Sequence, residues 1–112
     1  MKQYCLALDL KDDPAMIAEY EAHHKKVSPE ILTTIHDSGI ERMEIFRAGN
    51  RMFMIIETTD SFDFEAKARM DEVNPVVQKW ESLMWKYQQA LPFAKSGEKW
   101  VLMNKFFDTK TD

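Results

Sequence analysis

The sequence predicts an α+β fold: a ferredoxin-like, four-stranded antiparallel sheet with helices on one face. Three observations carry this expectation. Period-2 alternation, or an unbroken apolar run, marks strands near residues 3–10, 42–47, 51–58 and 98–108. Three proline-led helix starts, at Asp13-Pro14, Ser28-Pro29 and Asn74-Pro75, fall between those strands. The resulting order is strand, two helices, strand, strand, two helices, strand, which is the split βαβ arrangement with each crossover helix broken in two.

Gln3–Leu10 alternates, with Tyr4, Leu6, Leu8 and Leu10 on one side and Cys5, Ala7 and Asp9 on the other. Asp13 is the expected N-cap of a helix running to about Lys26. Ser28 caps a second, whose Ile31, Leu32 and Ile35 form a buried stripe and whose end is marked by Gly39. Met43 and Ile45 alternate with Glu44 and Phe46 in the next strand, and Ala48-Gly49-Asn50 is a hairpin turn. Arg51–Thr58 is apolar from Met52 to Ile56, as in a strand covered on both faces. Asp60 is the expected cap of a helix over 61–70. Asn74-Pro75 opens another, with Val76, Val77, Trp80, Leu83, Met84 and Tyr87 at three- and four-residue spacing and Pro92 beyond its end. Glu98–Asp108 is the expected last strand. The sheet face away from the helices stays apolar, and in so short a chain a second copy is its natural cover, which predicts a two-fold dimer with sheets face to face. Met54→Lys is the substitution expected to break such a dimer.

The 112 residues suit one domain, 1–112, without linker, repeat or low-complexity tract. A net charge of −4 with no basic cluster argues against nucleic acid. No apolar run approaches the ~20 residues that span a bilayer, and no charged-then-apolar leader follows Met1, so no membrane association is expected. One cysteine, Cys5, excludes an internal disulfide and fits a reducing compartment, so the expected location is the cytoplasm.

Tyr20 and His24 lie four apart and share a helix face with Met16, which sets a phenol beside an imidazole in a partly buried place. Imidazole gives or takes a proton near neutral pH. Spacing alone favours the plainer reading, a Tyr and a His each satisfied at the core edge. His23 points roughly 100° away, towards solvent. His36 sits near a helix end, where a cation suits the dipole. Three separated His without a carboxylate at ligand spacing make no metal site, and no metal or other cofactor is expected. Trp80, Trp85 and Trp100 are either sugar platforms or core filler, and Trp80 and Trp85 diverge around their helix. Glu57 and Glu81 are carboxylates beside apolar positions, either exposed charges or ligands for hydroxyls. No glycine-rich phosphate loop or nucleophile elbow is present.

Taken together, Tyr20-x-x-x-His24, Pro29-Glu30, Ser38-Gly39, the apolar strand ending in Glu57, and Val77-Gln78-Lys79-Trp80 before Leu83-Met84 resemble the L-rhamnose mutarotase family over nearly the whole chain. That resemblance implies a dimeric α+β barrel of ferredoxin-like subunits. It implies interconversion of the α and β anomers of a 6-deoxy-aldose, an isomerase reaction without metal or cofactor. By the same resemblance His24 is the proton donor, while Tyr20 and Trp80 bind the sugar. Two positions depart from the family. Met43 stands where a sugar-binding tyrosine is usual, and Glu81 follows Trp80 where a second tryptophan is usual. A hydroxyl is lost and a carboxylate gained, so the reaction class transfers more safely than the choice between L-rhamnose and L-fucose, and the departures lean towards L-fucose. Glu57 and Glu81 are then candidate hydroxyl ligands. The competing readings on the same scaffold are a cofactor-free monooxygenase, a haem-binding protein with His24 as ligand, and a non-catalytic binding module.

Overall fold

The computed structural model describes residues 1–110. Its elements are β1 (Lys2–Leu10), α1 (Pro14–His24), α2 (Pro29–Asp37), β2 (Ile40–Ala48), β3 (Arg51–Thr58), α3 (Phe64–Glu72), α4 (Pro75–Trp85), β4 (Gln88–Gln89) and β5 (Val101–Leu102). β1 is central. Almost its whole length pairs antiparallel with β3, which pairs in turn with β2. The other edge of β1 is shared: β4 pairs with Asp9 and Leu10, while β5 pairs with Leu6 and Ala7.

Local chemistry explains most of these boundaries. Asp13, Ser28, Asp63 and Asn74 cap the four helices, each side chain accepting from backbone N–H groups of the first turn. Pro14, Pro29 and Pro75 occupy first-turn positions whose N–H has no helical partner in any case. β2 and β3 meet in a tight turn at Gly49-Asn50, and only Gly49, at φ 61, takes positive φ there. Gly39 is constrained twice over. Its φ is 100, and a β-carbon there would lie 2.9 Å from the Thr59 hydroxyl oxygen.

Two expected elements differ. The third helix is capped by Asp63 and not by Asp60. Asp60 instead holds the N-terminal ammonium at 2.6 Å, and the intervening Phe62 drops into the core at 8% exposure. The expected strand 98–108 shrinks to Val101–Leu102, extended by one bond from the Met103 N–H to the Cys5 carbonyl. Part of the β1 edge is already occupied by β4, an element too short to leave a periodic signal.

The sheet has two unlike faces. Leu6, Leu8, Leu10, Met52, Met54 and Ile56 face the helices and are each at most 9% exposed. They pack as two adjoining clusters, one with Ile40 and Phe62, the other with Tyr20 and Met84. Met54 therefore belongs to the core beneath the helices, and the expectation that it marks the dimer face is corrected. The opposite face carries Cys5, Ala7, Phe53 and Ile55, all half-buried, with Phe46 at 51% exposure. Asp9 is also on that side and is buried, with Arg51 donating to both its carboxylate oxygens at 2.8 and 3.1 Å.

Candidate active site

A large cleft of about 1540 Å³ opens between the helix-side face of the sheet and the four helices. Its floor is apolar, built from Ile45, Met52, Met54 and Ile56, because the inner-facing positions of β2 and β3 alternate with outer ones. Tyr20 and His24 enter from α1, Trp80 and Glu81 from α4, Met43 from β2, Gln88 from β4 and Trp100 from the segment before β5.

One end of the cleft is aromatic and tightly organised. The His24 ring lies 4.6 Å from the Tyr20 ring and 5.5 Å from Trp80, the latter edge-on at 69°. His24 Nδ1 is 2.9 Å from the Tyr20 carbonyl oxygen. A carbonyl only accepts, so Nδ1 carries the hydrogen and donates it. That bond joins residues one helical turn apart and fixes the ring plane. Nε2 takes part in no hydrogen bond among the described residues. The imidazole is thus held by one nitrogen and free at the other.

Tyr20 is only 4% exposed. Its hydroxyl accepts a hydrogen bond from Gln88 Nε2 at 3.0 Å. Burial pushes the phenol above its ordinary pKa, and the Gln88 bond partly opposes that shift. Tyr20 is consequently a neutral hydroxyl at physiological pH, able to donate. His23 is half-buried, its Nε2 3.4 Å from the Tyr87 hydroxyl, in contrast to the solvated ring expected from its helix position. Tyr87 packs against Tyr20 at 6.0 Å, so His23 backs the aromatic end without lining the cleft.

Of the residues singled out from the sequence, Tyr20, His24, Met43, Trp80 and Glu81 share this cleft. Glu57 does not. It pairs across the sheet with Gln3 and Arg42, and the parity of β3 puts it on the outer face. The expectation that it binds sugar hydroxyls is corrected on that ground. Trp85 also lies outside, 41% exposed, with the Lys99 ammonium 5.1 Å from its ring centre. Trp100 is in the cleft, packed against both core clusters. Gln88 is a cleft residue that sequence reasoning misses. A polar residue in a two-residue strand carries no pattern, and its position directly after Tyr87 is the sole cue. Among the described residues, no three His, Cys, Asp or Glu side chains gather as metal ligands would.

The layered sheet, its roof of broken helices and the single-sided cleft define a subunit of the α+β barrel class. Solved structures that share that fold include the following two. An L-rhamnose mutarotase from Formosa agariphila superposes with a TM-score of 0.72 at 17% identity, covering 98% of this chain and 100% of that one. The tetracenomycin F2 cyclase of Streptomyces glaucescens gives 0.61 at 20% identity, covering 100% of both. The sequence model of L-rhamnose mutarotase matches residues 3–109. An L-fucose mutarotase of Xanthomonas campestris pv. campestris is 42% identical over 109 residues, 96% of this chain and 87% of that protein. A UPF0734 protein of Dictyostelium discoideum is 35% identical over 111 residues, 96% and 89% of the two. The chain belongs to the L-rhamnose mutarotase family, isomerases that act on carbohydrates.

Proposed function

We propose that this protein is an aldose 1-epimerase that interconverts the α and β anomers of a 6-deoxy-sugar, with L-fucose preferred over L-rhamnose. The observation that carries the reading is the His24 ring, anchored through Nδ1 to the Tyr20 carbonyl at 2.9 Å with Nε2 uncommitted beside Trp80. The preference for L-fucose draws on the 42% identity to the Xanthomonas L-fucose mutarotase.

Anomer exchange needs little machinery. The anomeric hydroxyl loses its proton to water in the open cleft, the ring oxygen gains one, and the C1–O5 bond breaks to give the open aldehyde. Rotation about C1–C2 turns the other carbonyl face to O5, and the same proton transfers reversed close the ring. In this reading His24 Nε2, as imidazolium, gives its proton to the ring oxygen and takes it back from the O5 hydroxyl on closure. The Nδ1–H bond to the Tyr20 carbonyl is kept in both protonation states of the ring, so proton transfer at Nε2 leaves the ring in place. Trp80 offers its face to the C–H side of the sugar, and Glu81 accepts from ring hydroxyls. Met43 and the apolar floor suit the C6 methyl group that distinguishes a 6-deoxy-sugar.

The decisive measurement is saturation-transfer NMR on the anomeric protons of L-fucose and L-rhamnose. The wild-type protein should accelerate exchange for at least one sugar, and His24→Gln should lower that rate by ~100-fold or more. Unchanged exchange with wild-type protein for both sugars would sink the reading.

We infer a homodimer from the half-buried apolar outer face formed by Cys5, Ala7, Phe53, Ile55 and the exposed Phe46. Phe46 and Phe53, paired across β2 and β3 with rings 6.5 Å apart, would lie near the centre of that contact. The cytoplasm is the proposed location, supported by the unpaired, half-buried Cys5 thiol. No helix of the described residues is long and apolar enough to cross a membrane.

A further inference from the structure

We propose that Gln88 is a substrate-positioning residue that helps set which 6-deoxy-sugar is preferred, reading one ring hydroxyl together with Tyr20. This role rests on the mutarotase reading and deepens it.

Gln88 is buried to 6% exposure, yet it lines the cleft. Its backbone is fixed by the antiparallel pairing with Leu10, at the end of the central strand. Its amide is already half-used, since Nε2 donates to the Tyr20 hydroxyl at 3.0 Å. The other amide atom, Oε1, makes no hydrogen bond among the described residues. It is not sealed in either, because no side-chain nitrogen or oxygen among the described residues is both buried and unpartnered. A primary amide with its nitrogen tied to a buried phenol still has its carbonyl oxygen unfilled as an acceptor. Reversing the amide exchanges the roles, with Tyr20 donating to the amide oxygen and the amide N–H left over, so a donor and an acceptor still meet the cleft.

The pair also sets direction. With its oxygen accepting from Gln88, Tyr20 keeps its own O–H as a donor. Burial holds that phenol protonated. Tyr20 and Gln88 thus present a donor next to an acceptor, which is the complement of a sugar hydroxyl that accepts one bond and gives one. L-Fucose and L-rhamnose differ in configuration at C2 and C4. A hydroxyl of the wrong configuration leaves buried polar atoms unpaired, and that discriminates far better than apolar contact. Met43 shapes the cleft from β2 and Glu81 from α4, whereas Gln88 shapes it from beneath the proton-transfer end, against Tyr20 itself.

Gln88→Met keeps side-chain length and removes both polar atoms. The test compares kcat and KM for L-fucose and L-rhamnose in wild type and Gln88→Met, with thermal melts of each. The expected result is a KM for the preferred sugar raised about tenfold, kcat changed less than about threefold, and a preference ratio that falls about tenfold. An unchanged ratio in a folded variant overturns the proposal, even if overall activity drops, because a merely structural role would weaken both sugars alike. Should Gln88→Met melt without a cooperative transition, Gln88→Glu keeps the shape and draws the Tyr20 proton to itself; the ratio should fall there too, and an unchanged ratio is equally fatal. Failure of the parent reading looks different, because wild-type protein would then exchange neither sugar, and the Gln88 assignment would fall with it.

Discussion

The two faces of the sheet are built from the same strands but to different specifications. On the helix side, alternate residues of β1 and β3 are nearly inaccessible, from Leu8 at 0% to Met54 at 9%. One residue along the chain in either direction, Ala7, Phe53 and Ile55 are only half-buried. The inner face is finished within one chain, whereas the outer face is apolar without being closed. Neighbouring residues thus answer to different requirements, folding on one side and, in the proposed dimer, association on the other. A charge introduced at adjacent positions should separate the two.

The largest effect is expected at Met54. A lysine there would place an ammonium among Leu6, Ile56 and Phe62, apolar side chains that offer it no counter-ion. Burying an unpaired charge and losing the packed side chain together cost about 3 kcal/mol or more, a large share of a small domain's stability. Met54→Lys should show no cooperative thermal transition. Ile55→Lys, one position along, should melt cooperatively and run as a monomer in size-exclusion chromatography with light scattering. If Ile55→Lys stays dimeric, the outer face is not the contact. Should both variants unfold alike, the distinction between the faces collapses.

The same contrast sets how much of the fold and the site is legible in the sequence. Alternation in Gln3–Leu10 reveals that β1 has two faces, but not which one the helices cover. In β3 the apolar run from Met52 to Ile56 hides parity altogether, because both faces are apolar. Sequence reasoning therefore puts Met54 on the wrong side and turns Glu57 towards a cleft that it does not line. The helix starts are legible because capping is local: an Asp, Ser or Asn before proline satisfies its own first turn. Asp60 is not the cap because the helix starts only at Phe64, where Asp63 accepts from the first-turn N–H groups. The shortened last strand and β4 are products of long-range competition for one edge of β1. Tyr20 and His24 are legible as neighbours through i to i+4 spacing, whereas Gln88 reaches Tyr20 only through the fold, 68 residues apart.

A smaller effect should mark the junction of α2 and β2. Gly39→Ala must hold an alanine at φ 100 and press its β-carbon on the Thr59 hydroxyl oxygen. A destabilisation of about 1–2 kcal/mol is expected, read as a lowered midpoint in urea with unchanged slope. Met54→Lys should exceed it clearly, because strain in one turn leaves the inner face intact. Equal losses would mean that the turn, and not the buried face, limits stability.

The smallest effect is a change with pH, confined to the alkaline range, in what Tyr20 contributes at the cleft end of the inner face. Burial raises the Tyr20 phenol above its ordinary value of 10.0, with the Gln88 bond opposing. Below pH 10 the phenol is protonated whether the chain is folded or not, so its contribution is fully present and stability does not vary with pH through this group. Above pH 10 the unfolded chain releases the proton first. The unfolded state then binds fewer protons than the folded one, and stability falls as pH rises towards and through the raised folded value. Tyr20→Phe removes this linkage. The variant should be less stable at pH 8, by about 1–3 kcal/mol, because the buried Gln88 amide loses its partner. Between pH 10 and 11 the gap to wild type should narrow, since only wild type bears the cost of keeping a buried phenol protonated. Urea unfolding of both proteins at pH 8 and in that alkaline range measures this directly. A gap that stays constant would mean that Tyr20 titrates alike in both states, and that the phenol is open to water where the Tyr20–Gln88 contact has it enclosed.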